Sequence, residues 1–113
     1  MKGELTTAIN FARQSAHGLG SNFSARSRTD LEQIVTYIAR DDPAAAERFG
    51  LKLVAQGESL ADAPEMGPRL PQRLGTRFFP VGSYLIIYRL DEARRRLRIL
   101  RFWHAARGRR PTR

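Results

Sequence analysis

The spacing of the apolar residues changes once along this chain, and that change limits it to one kind of architecture. From Thr29 to Leu60 the spacing is helical. Leu31, Ile34, Val35 and Ile38 recur at i, i+3, i+4 and i+7, which makes a single buried stripe. Thr29-x-x-Glu32 has capping-box spacing and Asp30 puts negative charge at the positive end of the dipole, so a helix is expected from Ser27 or Thr29 to about Arg40. Asp41-Asp42-Pro43 then starts a second helix, because Asp42 can cap free amides and Pro43 fits a first turn. Its apolar face is Ala45 or Ala46, Phe49, Leu53 and Leu60. Gly57 within it costs about 1 kcal/mol against Ala, and Pro64 ends it. Two amphipathic helices on so short a link fold as an antiparallel hairpin.

Past the loop that holds Pro64, Pro68 and Pro71 the period becomes two. Strands are expected at Leu74 to Phe79, Tyr84 to Leu90 and Leu97 to Trp103, with turns at Pro80 to Ser83 and Asp91 to Ala93. Leu85 and Ile87 alternate with Tyr84, Ile86 and Tyr88, so the middle strand is apolar on both faces and belongs inside the sheet. A faint period-2 pattern, Leu19-x-Ser21-x-Phe23, reads as a short edge strand ahead of the helices. The fold class is therefore α+β: a helical hairpin packed on a small twisted antiparallel sheet of three to four strands.

At 113 residues the chain supports one domain. We divide it into an N-terminal extension (1–20) that lacks a sustained period, the α+β domain (21–107), and a basic tail (108–113). Twenty Lys and Arg against eleven Asp and Glu give a net charge of +9, and only Lys2 and Lys52 are lysines. Arginine offers a planar fork to phosphate or carboxylate, so the excess points to an anionic partner, either nucleic acid or an acidic protein. With no cysteine there is no disulfide, thiolate metal site or thiol nucleophile. The N-terminus lacks the apolar run of a secretory signal and no segment approaches a membrane span, so a cytoplasmic protein is expected.

Five stretches, in this order and spacing, resemble the RelE/ParE toxins of type II toxin–antitoxin systems: DLEQIVTYIA (Asp30 to Ala39), DPAAAERF (Asp42 to Phe49), LADAPEMG (Leu60 to Gly67), RFFPVGSYLIIYR (Arg77 to Arg89) and RILRFWHAAR (Arg98 to Arg107). The resemblance implies the same fold and neutralisation by a cognate antitoxin. It also implies one of two activities: cleavage of mRNA on the ribosome in the RelE branch, or poisoning of DNA gyrase in the ParE branch.

Metal-free RNA cleavage needs a base, cationic groups over the phosphate and an acid for the leaving oxygen. RelE-like enzymes supply these from sheet lysines and arginines and a late tyrosine. In this chain Leu85 stands where the resemblance places an arginine, and no tyrosine follows Tyr88. A ribonuclease would have to rely on Arg77, His104 and Arg107. His104 could serve as acid or base, the usual role of an imidazole, but it reads more simply as a strand-end residue bonded to a nearby loop. The ParE branch is therefore favoured, acting by binding a large target, plausibly gyrase. A ribosome-dependent endoribonuclease and a non-toxic basic nucleic-acid-binding module are the alternatives. Arg69, Arg73, Arg77, Tyr84, Trp103 and Arg107 are the candidates for target or antitoxin contact. Arg94 to Arg96 read as a solvated run, and Tyr84 and Tyr88 read first as sheet packing. Asp41, Asp42 and Glu47 mark a helix start with no histidine to complete a metal site. Nothing calls for a cofactor.

Overall fold

The computed structural model describes residues 21–107, so the expected extension (1–20) and tail (108–113) lie outside the described residues. Helix α1 (Ala25–Ala39) starts earlier than its capping-box spacing predicts. Ser24, in extended conformation, accepts the Ser27 amide at 3.0 Å on Oγ, and the Ser27 hydroxyl donates back to the Ser24 carbonyl at 2.8 Å. Thr29 sits inside the helix and donates to the Ala25 carbonyl instead. Tertiary contact decides between the two caps. Ser24 also donates its amide to the Ile99 carbonyl and its hydroxyl to the Leu100 carbonyl, both at 3.0 Å, which fixes the helix start against the sheet.

The predicted stripe on α1 is buried at Leu31, Ile34 and Val35 and partly buried at Ile38. Helix α2 (Pro43–Ser59) begins as its sequence indicates, with Asp42 Oδ1 accepting the Ala45 amide at 3.0 Å and Pro43 in the first turn. Ala46, Leu53 and Val54 are buried along it, and Leu60 opens a single 3-10 turn, Leu60–Asp62, before Pro64. Gly57 is a packing point as well as a weak helix former. A Cβ there would lie 3.2 Å from two ring carbons of Phe23 and 3.6 Å from Ile99 Cδ1, so α2 sits close on the sheet edge.

The sheet runs β1-β4-β3-β2, from β1 (Ser21–Phe23), β2 (Thr76–Val81), β3 (Tyr84–Asp91) and β4 (Arg96–His104). The three later strands are antiparallel as expected, but β1 pairs parallel to β4, so the sheet is mixed. No tight turn joins β1 to a sheet neighbour. It returns to β4 only after both helices and two strands, and a connection that long permits parallel pairing. Strand β2 starts two residues later than predicted because Arg73 to Gly75 form a turn, in which Gly75 takes a φ of 75°. It also continues through Pro80, which an edge strand tolerates.

Strand β3 is central and apolar on both faces. Ile86 and Tyr88 are sealed under the helices, while Leu85 and Ile87 join Leu70 in a second cluster on the helix-free face, flanked by Phe78, Leu100 and Trp103. Strand β4 carries a bulge: Ile87 pairs with Arg101 but Tyr88 with Ile99, which leaves Leu100 as the extra residue. The bulge lets Ile99 and Phe102, three residues apart, both enter the main core.

Candidate functional site

The candidate site lies at the end of β4, and the geometry there starts from one ion pair. Strand β1 covers β4 only at Leu97, Arg98 and Ile99, so from Leu100 onward β4 is an edge. The N-terminal half of α1 closes the first part of that edge. Ser24 takes the Leu100 carbonyl, and Asp30 Oδ2 accepts the Phe102 amide at 3.0 Å. Asp30 also holds Arg101 in a two-pronged contact, Nε at 2.7 Å and one terminal nitrogen at 3.1 Å. The two side chains are only 8% and 11% exposed. The Arg101 guanidinium lies 5.0 Å from the Trp103 ring centre, so it is held between a carboxylate and an aromatic face. Asp30 was expected to serve the helix dipole, but its main contacts are with β4. The sequence did offer a signal: an arginine amid Ile99, Leu100, Phe102 and Trp103 needs a buried counter-charge.

Beyond this lock a groove of about 420 Å³ opens between α1 and the last residues of β4. Gln33, Ile34 and Tyr37 form its helical wall, and Tyr84, Phe102 and His104 form the sheet side. Tyr84 and His104 are cross-strand partners whose rings meet edge to face at 4.8 Å, with Phe49 behind Tyr84 at 5.6 Å. His104 Nδ1 accepts the Ala106 amide at 3.1 Å, so the neutral ring carries its proton on Nε2. Tyr37 is 66% exposed, with the Arg40 guanidinium 5.9 Å from its ring centre. Gln33 and Tyr37 were not singled out in the sequence, although an aromatic off the buried stripe of an amphipathic helix is a signal of its own.

The candidate arginines do not converge on this groove. Arg77 pairs with Tyr88 across β2 and β3, whereas His104 pairs with Tyr84 across β4 and β3. At strand spacings this separates them by roughly 13 Å along the sheet and about 10 Å across it. The Arg77 guanidinium is occupied locally, donating to the Gly67 carbonyl at 2.7 Å and more weakly to that of Glu65. Tyr88 secures the same loop, donating to the Pro64 carbonyl at 2.8 Å and accepting the Gly67 amide at 3.0 Å. Burial pushes its hydroxyl above the ordinary tyrosine range, against smaller opposite effects of the Gly67 amide and Arg77. Arg69 is exposed beside Arg77 in an isolated bridge, and Arg73 lies in the turn ahead of β2. Trp103 is on the opposite sheet face from the groove, in the Leu70, Leu85 and Ile87 cluster. Arg107 belongs to the final 3-10 turn, Ala105–Arg107, and the role expected of its side chain lies outside what is described.

The outer edge of β2 is also covered. Phe78 donates to the Pro68 carbonyl, Leu70 donates to that of Thr76, and Pro80 has no amide hydrogen to offer. Among the described residues no group of three His, Asp or Glu side chains could hold a metal, and no helix is long and apolar enough to cross a membrane.

Residues 22–108 match the family described as the ParE toxin of type II toxin–antitoxin system parDE. Two curated proteins of Caulobacter vibrioides are similar. Toxin RelE1 is 31% identical over 83 residues, which is 72% of this chain and 87% of that protein. Toxin RelE2 is 37% identical over 82 residues, which is 73% of this chain and 90% of that protein. Among solved structures, a chain of the chromosomal ParDE system of P. aeruginosa superposes with a TM-score of 0.65 at 19% identity, a likeness of fold covering 76% of this chain and 95% of that one. A chain of the RelBE2 toxin–antitoxin complex of Mycobacterium tuberculosis superposes with a TM-score of 0.50 at 27% identity, covering 76% and 96%.

Proposed function

This chain belongs to the RelE/ParE family of type II toxin–antitoxin toxins, and on that premise we propose that it arrests growth by binding a large target, DNA gyrase, without cleaving RNA. The observation that carries this reading is the position of Arg77. Its guanidinium is bound to the Gly67 carbonyl, and it stands two strands and four registers away from His104. A phosphate clamp and an acid–base group cannot act on one phosphodiester from there. Arg69 and Arg73 lie on the same side as Arg77. Where the family resemblance asks for an arginine on β3, Leu85 is buried against Leu70 and Ile87.

The neutralising partner in this reading is an antitoxin segment seated in the groove between α1 and β4. The groove supplies exposed aromatic surface at Tyr37, a half-buried Tyr84 and an unextended strand edge past Phe102, which suits an amphipathic helix or an added strand. An acidic antitoxin would also associate quickly with a chain of net charge +9. The site is thus a contact surface, with the Nε2 proton of His104 as a hydrogen-bond donor.

A second reading is a ribosome-dependent endoribonuclease, favoured by the RelE names of the two Caulobacter relatives. Two assays run side by side with the full chain separate the readings. One is supercoiling by purified gyrase and the other is in vitro translation with mapping of mRNA ends. Inhibited supercoiling with intact mRNA is expected. Codon-linked mRNA cuts with supercoiling unaffected would overturn the gyrase reading. Adding a cognate antitoxin is expected to restore supercoiling.

A further inference from the structure

The helix-free face of the sheet carries a second charged feature, unrelated to the groove, at the β3–β4 hairpin end. Arg89 and Arg98 are directly opposed in the β3–β4 register, and Asn22 of β1 extends the same row on the far side of Arg98. One step along, Arg96 faces Asp91. Residues paired across a sheet share a face, so these side chains stand together. They line a cleft of about 340 Å³ with Arg94, and an adjoining cleft of about 520 Å³ shares Arg89, Arg94 and Arg98 but also has the acidic Asp91 and Glu92 and the apolar Leu74 and Leu90 in its wall.

Asp91 offsets the group only in part: it sits opposite Arg96, but its direct contacts are with Arg94. Its carboxylate accepts the Arg94 amide at 3.3 Å and pairs with the Arg94 guanidinium at 3.4 Å. Among the described residues no hydrogen bond or close ion pair engages the side chain of Arg89 or Arg98. Like charges placed directly opposite on a sheet repel. Arg94 and Arg95 sit in the hairpin turn, where a solvated run is the ordinary outcome, but Arg89, Arg96 and Arg98 are in the strands and the last two are half-buried.

We propose that Arg89, Arg96 and Arg98, with Asn22, form a binding cleft for the backbone phosphates of a nucleic acid. The lining decides the class of partner. The smaller cleft has no apolar side chain, whereas stable protein contacts centre on aromatic or aliphatic anchors. Adjacent strands about 4.8 Å apart and alternate residues about 6.8 Å apart set the guanidinium anchors in a small two-dimensional array. Such an array suits a ligand that repeats its negative charge every few ångströms. The cleft lies four residues along β3 from Leu85, roughly 13 Å away, so it is separate from the position at which the family resemblance would put catalysis. The inference does not depend on the gyrase reading.

The test is fluorescence anisotropy of the full chain with a short labelled DNA duplex and, separately, a labelled single-stranded RNA, across a salt series. Each lost phosphate contact lowers the slope of log K against log salt by about 0.9. The double substitution Arg89→Gln/Arg98→Gln is therefore expected to flatten the slope by about two and to weaken binding on the order of tenfold at moderate salt. Arg48→Gln/Lys52→Gln removes the same charge from exposed positions on α2 and is expected to leave the slope unchanged. Arg96→Gln alone, with a slope lower by about one, keeps the idea testable if the double variant fails to fold. Equal losses in both double variants would overturn the site, because net charge alone would then account for binding. So would displacement of the oligonucleotide by poly-glutamate at matched charge, which would identify the cleft as an acidic-protein contact.

Discussion

Replacing Asp30 with alanine tests the contact on which the β4 edge depends. Two consequences follow from the geometry. The Arg101 guanidinium, 11% exposed, loses the carboxylate bound at 2.7 and 3.1 Å, and the Phe102 amide loses its acceptor at 3.0 Å. Breaking a buried pair from one side costs about 3–5 kcal/mol, because the remaining charge stays in a poorly solvated site. Against a total stability of about 5–15 kcal/mol for a domain of this size, that leaves the fold marginal. In urea, with a denaturant slope of about 1.5 kcal/mol per molar, the midpoint should fall by about 2–3 M. Asp30→Asn keeps an oxygen for the Phe102 amide and should lose less, about 1–3 kcal/mol. Asp30→Leu/Arg101→Met removes both charges together and should recover most of the alanine loss, since an apolar pair of similar volume is often as stable as a buried ion pair. A midpoint for Asp30→Ala within about 0.5 M of wild type would refute the reasoning, because it would mean that Arg101 finds water or another partner at no cost.

Three further outcomes are expected. Gly67→Ala should destabilise the fold by at least about 1–3 kcal/mol in urea unfolding, because a Cβ there would lie 2.2 Å from the Phe78 carbonyl oxygen and 2.8 Å from the Tyr88 hydroxyl. A wild-type midpoint would show that the loop relaxes freely. Tyr88→Phe should cost about 1–3 kcal/mol at neutral pH, since it leaves the buried Gly67 amide without its acceptor. Because burial raises the Tyr88 pKa above 10.0 in the folded chain, its contribution is complete below that value and is lost as pH rises through the folded pKa. The gap between wild type and Tyr88→Phe should therefore narrow above about pH 10, and a gap independent of pH would contradict it. Tyr37→Ala, at a 66% exposed position, should leave stability within about 0.5 kcal/mol yet weaken antitoxin binding by about 2 kcal/mol, read by calorimetry of the purified pair. Unchanged affinity would remove the groove from the antitoxin contact.

The parts of this fold that follow from local periodicity were readable in advance, and the parts that depend on distant contacts were not. The helix stripe at Leu31, Ile34 and Val35, the Asp42-Pro43 start and the two-sided burial of β3 each need only a few neighbouring residues to specify them. The start of α1 differs because two hydroxyls compete at similar spacing. Ser24 prevails through bonds to Ile99 and Leu100, more than seventy residues away in the chain. The parallel entry of β1 and the bulge at Leu100 are likewise set by what packs on the sheet. For the groove, Tyr84 and His104 were picked out separately, but their edge-to-face contact depends on the β3–β4 register. Arg77 shows a different limit: an arginine inside a recognisable motif invites a binding role, and its contact with the Gly67 carbonyl, which ties down the loop ahead of β2, depends on how that loop folds back.

That contrast bears on how a net charge of +9 should be interpreted. Arg77 and Arg101 are engaged by a carbonyl and a carboxylate, so they add charge to the composition while offering little of it to a partner. Arg89, Arg96 and Arg98 stand together on the helix-free face, where their fields add. The groove, by contrast, is lined mainly by Ile34, Tyr37, Tyr84 and Phe102, with Asp30 as its acidic member. An acidic partner would thus be steered by the chain as a whole but held by aromatic surface, and a nucleic acid would be held at the hairpin end. The two surfaces lie on opposite faces of one sheet, which means that one partner could occupy its site without displacing the other. Salt should separate them as well: added electrolyte weakens the arginine cleft steeply and the groove only slightly, because desolvated apolar contact is not screened.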